Sequence, residues 1–358
     1  KLSEVYGIEY SVEKADNEIK HSPPVKLKNN KFSRPFEMFV DMYGLPSYNE
    51  IDPTVLVSIV YTVLFGIMFG DVGQGIILSI AGAIMYKLKG MMLGKILIRC
   101  GISAALFGVL FGSVFGFEHL LDPFYRMLFN LEEKPIKVME PNTVMLIMLA
   151  SIGLGVIIIT VSMILNIYSS FKRKDYESAM FGQNGLAGLI FYSSVVAMAV
   201  CVLLNINIVN NFYIIILIVL PLLIIFFKEP LGAIVSKKTH VWPEKWGEFI
   251  LQNFFEVFEI LLSYLTNTMS FLRVGAYDLG HAGMMFAVFT MAEVFGEGSP
   301  FVYGLVILIG NIFVIVLEGL LVNIQVLRLN FYEMFSRFFE GQGKAFSPVI
   351  LREDSKIN

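Results

Sequence analysis

Glu256, Glu259, Arg273, Asp278 and His281 stand in one long apolar stretch, residues 248–295, and Glu318 and Arg328 in the next, residues 300–339. An ionisable group at mid-membrane depth costs at least ~2.5–3.5 kcal/mol, so each needs a partner, a water-filled cavity or a job. Ser263, Asn267, Ser270, Arg273, Tyr277 and His281 step by three or four, which lines them along one helical face. Asn311, Glu318 and Gln325 step by seven, and Arg328 follows three residues on, giving a second stripe. Arginine stays protonated in proteins and cannot relay a proton, whereas histidine and the carboxylates can exchange one. Along the first stripe Glu256 and Glu259 precede Arg273, and Asp278 and His281 follow it. The second stripe runs back, which sets Glu318 level with the outer group and Arg328 further in. Asp71 joins the outer group from an early hairpin turn. The layout is an inner acidic group, a central arginine and an outer acid/histidine group, as two offset half-channels around a fixed positive charge require. The competing reading is interhelical glue, with Glu318–Arg328 or Asp278–Arg273 as structural ion pairs. Glue suits any single Asn or Ser better than it suits the whole set.

The elements that must carry these stripes follow from composition. Of 358 residues, 56% are hydrophobic and 16% charged, and the mean hydropathy is +0.70. Soluble domains are roughly 45–50% apolar and about 25% charged, so an ordinary soluble enzyme and a disordered protein are both excluded. The expectation is an all-α integral membrane protein of about eight transmembrane helices, at residues 53–70, 72–88, 95–117, 142–171, 184–206, 211–228, 248–295 and 300–339. Gly70, Gly73 and Gly75 mark the turn of the first hairpin. The 248–295 stretch contains no proline; as one helix it would reach about 70 Å, so it must tilt strongly or leave the bilayer. The eighth is similarly overlong. Lys and Arg collect in alternate connections (Lys87, Lys89, Lys95 and Arg99; Lys172, Arg173 and Lys174; Lys228, Lys237, Lys238 and Lys245), which predicts cytoplasmic termini. The 118–141 connection, with Glu118, Asp122, Glu132, Glu133 and Glu140, would then face outward. Cys100 and Cys201 fall in apolar stretches and read as small packing residues. A net charge of -3 gives no sign of nucleic-acid binding. Starting at Lys1 without a signal peptide, the chain reads as a piece of a longer protein. Residues 1–52 would form a cytoplasmic linker with an interfacial helix around 36–43, residues 53–340 the membrane domain, and 341–358 a cytoplasmic tail.

Three motifs give these residues a family resemblance. YNEIDPTVLVSIVYTVLFGIMFGDVGQG (48–75), SYLTNTMSFLRVGAYDLGHAGM (263–284) and LEGLLVNIQVLRLNFYEMFSRFFEGQGKAFSP (317–348) occur in that order. Together they resemble the membrane domain of subunit a, called subunit I in prokaryotes, of the rotary V-type and A-type ATPases. The resemblance covers essentially the whole chain and looks prokaryotic in its compactness. It implies that Arg273 is the essential arginine facing a proteolipid ring, and Arg328 the second arginine, ten residues after Glu318. It likewise implies that His281 is the histidine eight residues beyond the first arginine. Glu259 would lie on the cytoplasmic access path and Asp71 on the outer side. Glu256, Ser263, Asn267, Ser270, Asp278 and Gln325 would line the half-channels. Asp278 departs from the family pattern, where Ser or Gly is common; it would line the exit path or, by slight preference, bind a neighbouring helix.

The implied function is that of a stator, coupling proton or sodium translocation to ATP hydrolysis or synthesis in a cell membrane. The implied partners are the proteolipid ring (c or K subunits), the central-stalk d or C subunit, membrane lipid, and the peripheral-stalk E and G (or H) subunits through a missing N-terminal domain. No nucleic acid, cofactor or metal is implied. No G-x-x-x-x-G-K-S/T loop occurs, and FGDVGQG lacks the lysine, so ATP chemistry is not expected on this chain. The alternatives are a self-contained secondary transporter or channel, which would predict inverted repeats and broken helices, and a purely structural membrane anchor, which would leave the central arginine without a purpose.

Overall fold

The computed structural model describes residues 23–48, 50–117, 120–129, 141–206, 210–235 and 245–347. Among them the chain is helical and holds no strand. A short 3-10 turn, Arg34–Phe36, runs into α1 (Glu37–Tyr43) where the interfacial helix was expected. There follow α2 (Thr54–Phe69), α3 (Val72–Lys89), α4 (Met92–Phe111), α5 (Asp122–Phe129), α6 (Pro141–Lys172), α7 (Tyr176–Met180) and α8 (Leu186–Leu203). The second half comprises α9 (Asn211–Phe226), α10 (Lys228–Val235), α11 (Trp246–Ser270), α12 (Leu272–Gly296) and α13 (Pro300–Phe338).

Five of these elements are long and apolar enough to cross a membrane: α4, α6, α8, the continuous 51-residue α11–α12 rod and the 39-residue α13. The number rises to six if α9 and α10, bent by 74°, form one broken span. The expected count of eight therefore exceeds what length and composition support. The difference lies largely in the first hairpin. Its α2 arm has 16 residues, and its α3 arm carries Gln74, Lys87 and Lys89. At 1.5 Å per residue the α2 arm reaches about 24 Å, short of a ~30 Å hydrocarbon core, while the α3 arm, as long as α8, falls short in apolar content. The third span was expected to continue to 117, but α4 ends at Phe111, where Gly112 turns the backbone at φ 75°. The Glu118, Glu132, Glu133 and Glu140 region, residues 1–22 and residues 348–358 lie outside the described residues.

The hairpin turn uses Gly70, at φ 35°, and not the other two glycines. Gly73 and Gly75 lie inside α3, where the second makes room for α4. A Cβ on Gly75 would sit 2.7 Å from the Gly101 carbonyl oxygen, and one on Gly101 2.5 Å from that of Gly75. Gly82 and Gly94 repeat the reciprocal contact two turns along, at 2.7 and 2.5 Å. Backbones this close gain dispersion contacts where lipid tails offer no hydrophobic drive for helix pairing.

On α2, Tyr61, Phe65 and Phe69 recur every fourth residue, and their rings stack nearly parallel along one face. The ladder starts under Phe36 and Phe39, ring centroids 5.7 and 4.9 Å from Tyr61, and ends at the imidazole of His281, 6.2 Å from Phe69. At the other end of the bundle the two described ends lock together. Val25 N–H donates to Lys344 O (2.8 Å), Phe346 N–H to Val25 O (3.1 Å) and Gly343 N–H to Leu45 O (2.7 Å).

Candidate functional site

The α11–α12 rod changes local pitch at Phe271, whose N–H reaches back only to Thr268 O, as in a 3-10 turn. The Phe271 side chain is fully buried, and its ring fills the space beside Gly155 of α6, where a Cβ would be 2.4 Å away. The joint pins the rod against α6 and sets Arg273 two residues beyond it. Opposite, residues Leu329–Phe335 of α13 form a π-helical segment. Its wider turns rotate Glu333 inward, where it is buried.

These two irregularities meet at Arg273. Its guanidinium donates to Ser270 Oγ at 2.6 Å and to Gln325 Oε1 at 3.2 Å. Glu333 Oε1 lies 3.8 Å from Arg273 Nη2 and accepts a hydrogen bond from Ser270. Arg273 is thus held from two helices while 21% of its side chain stays exposed. Beyond it on α12, Ala276, Gly280, Gly283 and Ala287 continue the same face at alternating steps of four and three, all exposed. A Cβ on Gly280 or Gly283 would meet nothing within 4 Å. Arg328 is exposed on α13 and makes no hydrogen bond or ion pair among the described residues.

Roughly two turns along, a second cluster assembles from three elements. His281 Nδ1 is 2.7 Å from Glu318 Oε2 of α13, and His281 Nε2 is 3.8 Å from Asp71 Oδ2. Asp71 caps α3, accepting from Gln74 N at 2.8 Å. It also accepts from Ser113 Oγ (2.6 Å), Phe115 N (3.0 Å) and Gly116 N (2.9 Å) in the turn after α4. The turn exists because α4 stops early, so the shortened third helix is what completes the shell of Asp71. Gln74 Nε2 extends the network to Asn311 Oδ1 at 3.0 Å. Asp278 is buried beside Gly70, and one of its carboxylate oxygens has no hydrogen-bond partner. With His281, Ser113, Gly116, Met285 and Phe286 it lines a cavity of about 250 Å³. A histidine between two carboxylates can accept a proton from one side and release it to the other.

The remaining expected residues divide. Glu256 pairs with Lys228, the residue that opens α10. Glu259 is exposed and has no ion-pair partner among the described residues, and Asn267 donates to Ser263 Oγ at 3.3 Å. The ion pairs Glu318–Arg328 and Asp278–Arg273 do not form: Glu318 is taken by His281, and Arg273 by Ser270, Gln325 and Glu333. Glu333 and Ser113 were not singled out from sequence. Counting on at 100° per residue puts Glu333 within about 80° of Gln325, so its signal was present in the stripe's continuation past Arg328. Ser113 carries no such signal, because its place depends on where α4 ends.

Comparison with known proteins bears on this arrangement. Residues 3–99 match the family described as the V-type ATPase 116kDa subunit family. The A-type ATP synthase subunit I of Methanocaldococcus jannaschii is 30% identical over 354 residues, covering 91% of this chain and 49% of that protein. The subunit I of Saccharolobus solfataricus is 29% identical over 390 residues, covering 92% of this chain and 55% of its own length. That of Pyrococcus abyssi is 28% identical over 362 residues, covering 97% and 50%. The chain therefore spans about half the length of the curated relatives it matches.

Proposed function

Since the chain belongs to the V-type and A-type ATPase subunit a (subunit I) family, we propose that it acts as the membrane stator of a rotary ATPase, coupling proton or sodium movement to ATP hydrolysis or synthesis. The carrying observation is the seat of Arg273, fixed by Ser270, Gln325 and Glu333 yet partly exposed beside an open face of small residues. An ion enters one half-channel and neutralises a carboxylate on the proteolipid ring, and the neutral site can turn through lipid. When it meets Arg273, Coulomb attraction favours the ionised carboxylate, and the ion leaves by the other half-channel.

Glu256, Glu259, Ser263 and Asn267 mark the inner path in this reading, and Asp278, His281, Glu318 and Asp71 the outer one. Holding the arginine between the two paths also blocks a direct leak. The open face of Ala276, Gly280, Gly283 and Ala287 supports close approach by a ring helix. The stalk subunits would act through sequence beyond this chain, and ATP would be hydrolysed on other subunits. The test is ATP-driven ion uptake by the reconstituted complex, wild type against Arg273→Ala, with assembly verified in both. Loss of uptake in an assembled complex is expected; unchanged uptake refutes the assignment.

A further inference from the structure

A pocket of about 280 Å³ lies between the segment leading into α1 and the start of α4, lined by Lys31, Arg34, Pro35, Met92, Lys95 and Arg99. Four of its six lining residues are cations, and none is paired with a carboxylate among the described residues. Arg99 is held in place by neutral groups only. Its guanidinium donates to Lys31 O at 2.7 Å and to Lys95 O at 3.2 Å, and stacks over Phe32 at 5.1 Å. Lys95 rests over the Tyr86 ring at 4.3 Å. Uncompensated charge of one sign, drawn together and partly ordered, is costly unless something anionic completes it.

A second feature faces the same way. The 20-residue helix α4 begins at Met92 with no side chain capping its first turn. Its unpaired N–H groups and the positive end of its dipole add to the field of the four cations, and both favour an oxyanion. The surroundings are apolar: Met92 lines the pocket, Met91 directly precedes it and Phe32 packs on Arg99, and they are 42%, 40% and 46% exposed. Apolar rim and cationic floor together match a molecule with an anionic head and a hydrocarbon tail. Basic pockets between membrane helices bind anionic headgroups by the same chemistry.

We propose that Lys31, Arg34, Lys95 and Arg99 form a binding site for the phosphate of an anionic lipid headgroup, with the acyl chains lying along Phe32, Met91 and Met92. The site joins the linker to the start of α4 through a lipid, and it involves none of the residues around Arg273.

The test uses the purified chain in nanodiscs of phosphatidylcholine containing 20% phosphatidylglycerol. Retained lipid is counted by native mass spectrometry after transfer to detergent. The site variant is Arg34→Gln with Lys95→Gln, two cations whose side chains donate no hydrogen bond among the described residues. The control, Lys87→Gln with Lys89→Gln, removes equal charge from a neighbouring stretch outside the pocket. Retention of phosphatidylglycerol should fall about thirtyfold in the site variant and stay within about twofold of wild type in the control. Equal loss in both variants overturns the proposal, because it reports surface charge alone. A third arm adds inorganic phosphate at 10 mM. If it displaces the lipid completely and binds the lipid-free chain in a site-dependent way, the pocket takes free phosphate and the lipid assignment fails.

Discussion

At residue scale the two clusters differ in kind. Arg273 is held by one carboxylate and two neutral groups and stays partly exposed, whereas His281 is buried between Glu318 and Asp71. Removing one member of a buried charged set costs about 3–5 kcal/mol, while replacing the set by apolar groups can be nearly neutral. His281→Ala should therefore lower the melting temperature in detergent markedly, and His281→Leu with Glu318→Leu should recover most of it. Equal melting of the two variants would show that the contact is not a coupled pair. Glu333→Gln keeps the shape beside Arg273 but removes the charge. It should leave assembly intact and reduce ATP-driven ion uptake about tenfold, the range of one charge-assisted hydrogen bond. The stripes of Ser270, Arg273, His281, Glu318 and Gln325 were legible because helical periodicity survives in sequence. Their partners were less so. Glu318 and Arg328 are ten residues apart and suggested a pair, but His281 takes Glu318, and Glu333, in the π segment that begins just past Arg328, takes the place beside Arg273.

At the scale of elements, the site depends on where helices stop. Asp71 acquires its full set of donors because α4 ends at Gly112 and the following turn folds back on the hairpin. Apolar composition runs on past that point, which is why the sequence suggested a longer span. The hairpin meets α4 through the paired glycines Gly75–Gly101 and Gly82–Gly94. Gly101→Leu would drive a side chain into the Gly75 carbonyl, so monodisperse protein on size exclusion should largely disappear. Gly153→Leu is the matched control: a Cβ there meets nothing within 4 Å, and yield should hold. The joint at Phe271 left no trace in hydropathy, since its cause is Gly155 on another helix.

At the scale of the whole molecule, the all-α membrane architecture follows from composition alone, but the joining of the described ends does not. Residues 25 and 345 are far apart in sequence and carry no complementary pattern. Only the glycines of the EGQG segment hint at it: Gly341 adopts φ 69°, and a Cβ on Gly343 would lie 2.1 Å from Pro46 O. Gly343→Val should open the lock, and hydrogen exchange at the Val25, Gly343 and Phe346 amides should rise well above wild type while the amides of α6 stay unchanged. Protection that persists at all three amides would mean the lock does not need Gly343. With the lock closed, the polypeptide is mechanically a loop, since the segment entering the bundle is clasped by the segment that leaves it. A pull on either end then loads the two backbone hydrogen bonds of Val25 in shear before it reaches any helix, and tension can pass from one end to the other without crossing the bilayer-spanning bundle.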